Sequence, residues 1–310
     1  MSDLLKFSLL LTFEIPAICM SIFIFIYFVT HRVALANPKN HVWFVLLIFN
    51  FLQLTINLPM SMSFYYLGQI WPTTNAYCVW WAWHQHSTTL TCLVLTTRAS
   101  VERHFLIFHP TFIVGASWKK WIFHFVPVIV CITVASLWYI ILIIISPMCT
   151  TVWDFNDIIC GIPCYQSTDN QIYGIIDTMM FIMPLFILTM ANITLMVRVI
   201  YEKYSRRQVV DWRRHRKMLF QLWLISSLYL VGWLPLASAL FSRFIAYHTF
   251  LNDQHPTLIF ILDFIPVVLP FVCLAVFPEI TTSIREFLRR RRNRVGIISV
   301  VPQTHFRTRI

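Results

Sequence analysis

Charged side chains are scarce in this sequence. They make up 12% of its 310 residues, whereas 58% of the residues are hydrophobic. A soluble domain usually carries about 25% charged residues, so this composition excludes one and indicates a chain embedded in lipid. Acidic residues are the scarcer kind, with 13 against 24 lysines and arginines. The basic excess lies in short connections between apolar runs, which argues against nucleic acid as a partner.

Glycine is also rare, with six residues in the whole chain. The sequence has no glycine-rich phosphate loop, no serine nucleophile elbow and no pair of histidines at metal-binding spacing. We therefore predict no enzymatic activity, no cofactor and no metal site. The first residues, MSDLLKF, lack the basic stretch and the cleavage site of a signal peptide. The first apolar run is expected to remain in the protein.

Long apolar runs recur along the chain. A helix of about 20 apolar residues crosses the hydrocarbon core of a membrane. Seven such runs centre on residues 9–29, 42–67, 77–105, 121–146, 172–201, 218–242 and 257–277. The sequence therefore predicts an all-α membrane protein, in which one domain over residues 1–294 forms a bundle of seven transmembrane helices.

The connections between the runs differ in charge on the two sides of the predicted membrane. One side carries Arg32, Lys39, Lys119, Lys120 and the basic cluster between Lys203 and Lys217. The other side carries mostly aspartates, namely Asp3, Asp154, Asp157, Asp169 and Asp253. By the positive-inside rule, the amino terminus lies outside the cell and the carboxyl terminus in the cytoplasm. This orientation is the reverse of that of insect-type odorant channels.

The basic stretch after the last run has the pattern of a surface helix. Pro278 suits a helix start, and the apolar residues that follow it fall on one helical face. We predict a short amphipathic helix over about residues 278–292 on the cytoplasmic membrane surface, with its arginines facing anionic lipid. Residues 295–310 are predicted to form a disordered cytoplasmic tail.

The third run ends in the most specific motif. Its last residues include Glu102, Arg103 and His104, with Cys78 twenty-five residues before the arginine and Pro110 seven after it. In these residues the chain resembles the rhodopsin-like (class A) G-protein-coupled receptors, whose third helix ends in Asp/Glu-Arg-Tyr. It is similar to a divergent receptor of the invertebrate, peptide-receptor-like type.

Other motifs of that family fall in register. Pro184 matches the proline of the fifth helix. The sixth-helix motif Cys-Trp-x-Pro reads GWLP here, with Trp233, Pro235 and, one turn earlier, Tyr229. The seventh-helix motif Asn-Pro-x-x-Tyr reads LPFVC around Pro270. The resemblance thus covers nearly the whole chain.

Several switch residues of the family are altered. Asn50 replaces the second-helix carboxylate, and Cys92 and Leu269 stand at other sodium-ligand positions, so no oxygen cage for sodium is expected. The base of the sixth helix is basic from Arg213 to Lys217. Glu102 is therefore the acid expected to restrain the neighbouring arginine.

The resemblance implies a plasma-membrane receptor that binds an extracellular ligand and activates a heterotrimeric G protein. The residues implied in coupling and switching are Glu102, Arg103, His104, Tyr229, Trp233, Pro235 and Pro270. Two alternatives remain open: a receptor-like protein that couples weakly or not at all, and a transporter or channel. A transporter would show broken helices in two matched halves and a polar path through the midplane, and neither pattern is seen.

Ionisable side chains at membrane depth indicate where a ligand binds. By the resemblance, Asp177 and Asp263 look into the outer cavity, and the ligand-binding set is Asp263, Asp177, Gln85, His84, Trp233 and Glu14. Two carboxylates indicate a cationic small molecule or peptide, although the aspartates could instead bond only to neighbouring side chains. Opsins carry their retinal lysine at the position of Asp263, which excludes retinal. Amine receptors carry an aspartate at the position of Gln85, which argues against a monoamine.

The eight cysteines divide by predicted depth. Cys78, Cys149, Cys160 and Cys164 lie on the oxidising outer side, and the other four lie within the runs. Four cysteines allow three pairings, among which spacing does not choose. The resemblance implies a bridge from Cys78 to Cys164 or Cys160, and we favour Cys78–Cys164 together with Cys149–Cys160.

Overall fold

A computed structural model describes residues 2–31, 38–108, 121–145, 149–166, 171–206, 212–246 and 254–276. The predicted surface helix at 278–292 and the predicted tail at 295–310 lie outside the described residues. The same holds for Pro110 and for the loops that carry Arg32, Lys119 and Lys120.

The described residues form helical rods and contain no strand. Two of the rods are interrupted, α2 by a π turn at Gln53–Asn57 and α7 by Asp263. A third, α4, lies between the π turns Trp121–Phe125 and Ile140–Ile145. The bounds are Asp3–Thr30 for α1, Pro38–Leu52 and Leu58–Leu67 for α2, Asn75–Phe108 for α3, Val126–Tyr139 for α4, Gln171–Arg206 for α5, Trp212–Ala246 for α6, and His255–Leu262 and Phe264–Val276 for α7.

Six of these rods are long and apolar enough to cross a membrane: α1, α2, α4, α5, α6 and α7. They coincide with six of the runs predicted from the sequence. Their outward faces expose large apolar side chains, such as Ile26 on α1, Leu137 on α4 and Phe186 on α5. Exposed apolar surface of this extent suits contact with lipid, and the chain has the character of a multi-pass membrane protein.

Helix α3 is long but less apolar than these six helices and is not counted with them. The predicted count of seven membrane-crossing helices is therefore not confirmed. The physical reason is its position. It packs against α2, α4, α5 and α6, and polar residues such as Thr91, Thr96 and Ser100 are buried on it. Their hydroxyl groups donate to carbonyl oxygens one turn back along the same helix. A helix enclosed by other helices can carry such residues without exposing them to lipid.

The rods alternate in direction, which gives the molecule two distinct ends. The disulfide end carries Gly68, after α2, and the loop at 149–166. The arginine end carries Thr30, at the end of α1, and Arg103. Helix α7 closes the ring of helices by packing against α1, α2 and α6.

Two disulfide bonds join the four cysteines at the disulfide end, Cys78 to Cys160 and Cys149 to Cys164. The favoured pairing of Cys78 with Cys164 is therefore wrong, and the alternative partner is the one present. The reason lies in a tight turn. Cys160 and Gly161 have φ angles of 59° and 81°, and the turn buries Cys160 against the start of α3. Cys164 instead donates from its backbone N–H to Oγ1 of Thr151, two residues after Cys149.

We expect peptide mapping of the unreduced protein to recover both bonds as separate cross-linked peptides. Replacing Cys78 and Cys160 together by serine should lower stability by about 2–4 kcal/mol, because the bond closes a long loop. Replacing the exposed, unbridged Cys19 by serine is the matched control. A peptide joining Cys78 to Cys164 in surface-expressed protein would contradict this pairing.

Candidate functional site

A cavity opens at the disulfide end, between α2, α3, α5, α6 and α7. It holds about 1030 Å³ of empty space, including its mouth. The loop segment 158–163 and Gln166 form its roof. The walls mix apolar surface with a few polar groups, as small-molecule sites do.

The π turn of α2 supplies two polar residues of the wall, Gln53 and Asn57. The turn stands just before Pro59, which has no N–H with which to continue a regular helix. Gln53 donates from Nε2 to Oγ1 of Thr89 at 3.0 Å, and Asn57 donates from Nδ2 to Oγ1 of Thr88 at 3.0 Å. These bonds tie α2 to α3 along the cavity. The sequence prediction missed both residues, although amides beside a proline in an apolar run were a usable signal.

Aromatic rings line the cavity on the side of α5 and α6. The ring of Phe181 stacks on that of Trp233 with centroids 4.5 Å apart, and Tyr229 lies in the same wall. Gly232 lets α6 approach α7 closely, because a Cβ at this position would lie 2.7 Å from Cδ1 of Ile265. Gly232 thus sets the spacing of these two helices.

Asp263 lies in the cavity wall at the interruption of α7. Its side chain is buried, with 5% of the residue exposed, and Oδ2 has no hydrogen-bond partner among the described residues. Gln85, on α3, lines the same cavity, and its Oε1 also has no partner there. A buried polar atom without a partner is costly, so both atoms are candidates for contact with a ligand. Both are acceptors.

Asp177 does not line the cavity. Its Oδ1 accepts from the hydroxyl of Tyr139 at 2.8 Å, and its Oδ2 accepts from Nε2 of Gln166 at 2.8 Å. The prediction that it faces the ligand is therefore wrong, and the local interpretation holds for this residue. Its carboxylate fixes the roof to α4 and α5. Burial, together with the charge of Asp177, raises the pKa of the loop residue Tyr165, which stays a neutral phenol.

Two further residues of the predicted ligand set lie away from the cavity lining. His84 is held behind the wall, where Nδ1 lies 2.5 Å from Oδ1 of Asn57 and its ring stacks on Trp80. Glu14 is buried on α1, which contributes nothing to the lining. The side chain of His84 points away from the cavity because the next two residues of α3, Gln85 and His86, take the positions that face it.

At the arginine end, Glu102 bonds to α4 rather than to its neighbour Arg103. Its Oε1 lies 2.6 Å from Nδ1 of His124, and Nε2 of that ring lies 2.9 Å from Nδ1 of His41 on α2. Glu102 thus forms no direct ion pair with Arg103 among the described residues, and its restraint of the arginine stays a prediction. Successive residues on a helix point about 100° apart, so the two side chains face different neighbours.

Arg103 faces α2, where its guanidinium lies 5.1 Å from the ring centroid of Trp43. One of its terminal nitrogens, Nη1, has no hydrogen-bond partner among the described residues. His104 shares a hydrogen bond of 3.1 Å with Arg198 on α5. The side chains from Arg213 to Lys217 lie outside the described residues.

Asn50 connects α2 to α7 by a hydrogen bond. Its Nδ2 donates to the carbonyl oxygen of Pro266 on α7 at 3.0 Å. Pro270, four residues later, has no N–H for that carbonyl, so the amide supplies the missing donor. Pro235, another proline of the predicted switch set, lies inside α6.

Comparison with known proteins gives no family for this chain: no family model and no curated protein matches it. Function therefore has to be inferred from these residues and their contacts.

Proposed function

We propose that this protein is a plasma-membrane receptor in which a cationic ligand, bound in the cavity, controls a heterotrimeric G protein at the arginine end. The observation that carries the proposal is the pairing of two sites on one bundle. One is a roofed cavity with an unpartnered carboxylate oxygen, and the other is a half-buried arginine with an unpartnered nitrogen. Helix α3 connects them.

The proposal takes α3 as a seventh membrane crossing. Its 34 residues extend about 50 Å at 1.5 Å per residue, which exceeds a hydrocarbon core of about 30 Å. Its low hydropathy is compatible with this, since its neighbours cover it.

The orientation of the proposed receptor follows from disulfide chemistry. Disulfide bonds form and persist in oxidising compartments, so the disulfide end faces the outside of the cell. The arginine end then faces the cytoplasm, in agreement with the basic connections on that side of the sequence. Two independent features therefore support the same orientation.

The proposed ligand is a cation that also offers an N–H donor. A protonated amine or guanidinium would bond to Oδ2 of Asp263, and a second N–H would reach Oε1 of Gln85. The stacked rings of Phe181 and Trp233 add an aromatic surface suited to a cation or to an apolar group. A basic small molecule or the basic side chain of a peptide meets these requirements.

The test is expression in cells that carry a panel of G-protein dissociation reporters, challenged with amines and basic peptides. The proposal requires at least one reporter to respond with a saturating dose dependence. Surface-expressed protein that binds a cationic ligand but moves no reporter would favour the receptor-like alternative. Ligand-dependent ionic current without reporter movement would favour a channel.

A further inference from the structure

The threonine hydroxyl groups of α3 follow one pattern, with one exception. Thr88, Thr91, Thr96 and Thr97 each donate to the carbonyl oxygen four residues back along the helix. Such a bond uses the hydroxyl hydrogen within the helix, so that no donor is left for a ligand. Thr89 makes no such bond in the described part of the chain, and it is the threonine of α3 that lines the cavity.

The hydroxyl of Thr89 acts as an acceptor instead. Its Oγ1 accepts from Nε2 of Gln53 on α2 at 3.0 Å. The other end of the Gln53 amide, Oε1, accepts from Sγ of Cys92 at 3.5 Å. Because sulfur is a weak acceptor, the thiol favours the orientation in which the amide nitrogen faces Thr89. The hydroxyl hydrogen of Thr89 therefore has no acceptor among the described residues and is available at the cavity wall.

This donor lies near two unpartnered acceptors of the same cavity. Gln85 stands four residues before Thr89 on the same face of α3, which places it about 6 Å nearer to the disulfide end. Its Oε1 has no partner among the described residues, and the same is true of Oδ2 of Asp263 on α7. The cavity thus offers acceptors at Gln85 and Asp263, and a donor about one helical turn deeper than Gln85.

We propose that Thr89 determines which cations the cavity accepts, by donating a hydrogen bond to an oxygen of the ligand. This inference rests on the proposed cationic ligand and makes its chemistry more specific. The ligand carries, besides its N–H groups, an oxygen acceptor that reaches about one helical turn deeper into the cavity. Amino alcohols, amino ethers and amines that contain a carbonyl group belong to this class.

The charge of the cavity wall requires this oxygen to be neutral. The described lining contains the carboxylate of Asp263 and no lysine or arginine. A carboxylate on the ligand would meet neither of these cations there and would be repelled by Asp263. Hydroxyl, ether and carbonyl oxygens avoid this repulsion and accept from a hydroxyl at about 2.7–2.8 Å. Free amino acids therefore do not belong to the proposed class.

The test measures binding to the purified full-length protein in detergent by thermal unfolding, because a ligand that binds the folded state raises the melting temperature. The probes are ω-amino alcohols of three to six carbons, each compared with the n-alkylamine in which a methyl group replaces the hydroxyl. The wild type should bind at least one amino alcohol about threefold to tenfold more tightly than its alkylamine, as expected for one neutral hydrogen bond.

Variants on α3 assign this preference to one hydroxyl. Thr89→Val keeps the branched shape of the side chain and removes the hydroxyl, so it should abolish the preference, whereas Thr89→Ser should keep it. Thr91→Val is the matched control, because Thr91 is buried on the same helix, donates to the carbonyl oxygen of Ser87 and does not line the cavity. It should show the preference of the wild type. If Thr89→Val fails to fold, Thr89→Ala takes its place.

The possible outcomes distinguish this inference from the proposed function. Alkylamines that bind the wild type as tightly as their amino alcohols would overturn the role of Thr89 and leave the cation site standing. A preference of unchanged size in Thr89→Val would also overturn that role. Protein that binds neither series would refute the cation site, and this inference with it. Coupling to a G protein does not enter the measurement, so a receptor that couples to none would give the same result.

Discussion

Cells that express the Arg103→Ala variant are expected to show no G-protein activation, with or without ligand. The guanidinium has a nitrogen without a hydrogen-bond partner among the described residues, and it lies 5.1 Å from the ring centroid of Trp43. Charge-assisted bonds from an arginine to the carbonyl oxygens of a partner are each worth about 1.5–3 kcal/mol. Alanine removes them all.

The wild type should also activate the G protein measurably without ligand. Glu102 is bonded to His124 and forms no direct ion pair with Arg103 among the described residues, so we expect it to restrain the arginine only weakly. Ligand-independent activity is read from the same reporters as a function of receptor density. It should disappear in the Arg103→Ala variant.

Arg198→Ala is the control for loss of a basic side chain at this end, because Arg198 is exposed and bonds to His104. It should reach the surface and signal at wild-type levels. An Arg103→Ala variant with normal surface expression and an intact agonist response would show that the arginine is not the coupling residue.

Asp263→Asn should weaken agonist potency about tenfold or more. The substitution keeps the size of the side chain but removes the charge that a cationic ligand would meet in the cavity. A charge-assisted hydrogen bond worth about 1.5–3 kcal/mol corresponds to roughly a tenfold to hundredfold change in affinity. The measurement is a dose–response curve at matched surface expression.

The Asp177→Asn variant distinguishes the roles of the two buried aspartates, Asp177 and Asp263. Because both oxygens of Asp177 are bonded to Tyr139 and Gln166, this variant should act mainly on the thermal stability of the roof. An Asp263→Asn curve that overlays the wild type would remove the carboxylate from the ligand site. If Asp177→Asn lost more agonist potency than Asp263→Asn, Asp177 would be the ligand-binding aspartate instead of Asp263.

Apolar patterning predicted most of the fold, because lipid-facing helices must be apolar along their whole length. It was least informative for α3, where burial by protein permits threonine and serine. Trp233, Gln85 and Asp263 of the predicted ligand set line the cavity. That they contact a ligand stays a prediction.

The sequence could not give contacts that depend on side-chain direction. The bond from Glu102 to His124 joins residues 22 positions apart, and the π turn that orients His124 leaves no clear mark on the apolar pattern. The cysteine pairing depended on the left-handed backbone at Cys160 and Gly161. Asp177 was misassigned because burial alone does not tell a ligand contact from a local bond.

The bond from Asn50 to the carbonyl of Pro266 has a consequence for how α7 is bent. An ion that stabilises a bend dissociates and returns, so its occupancy follows the composition of the medium. An amide on a neighbouring helix is covalently attached to the chain and is never diluted. We therefore expect this bond to hold the bend before Pro270 equally well at low and at high ionic strength.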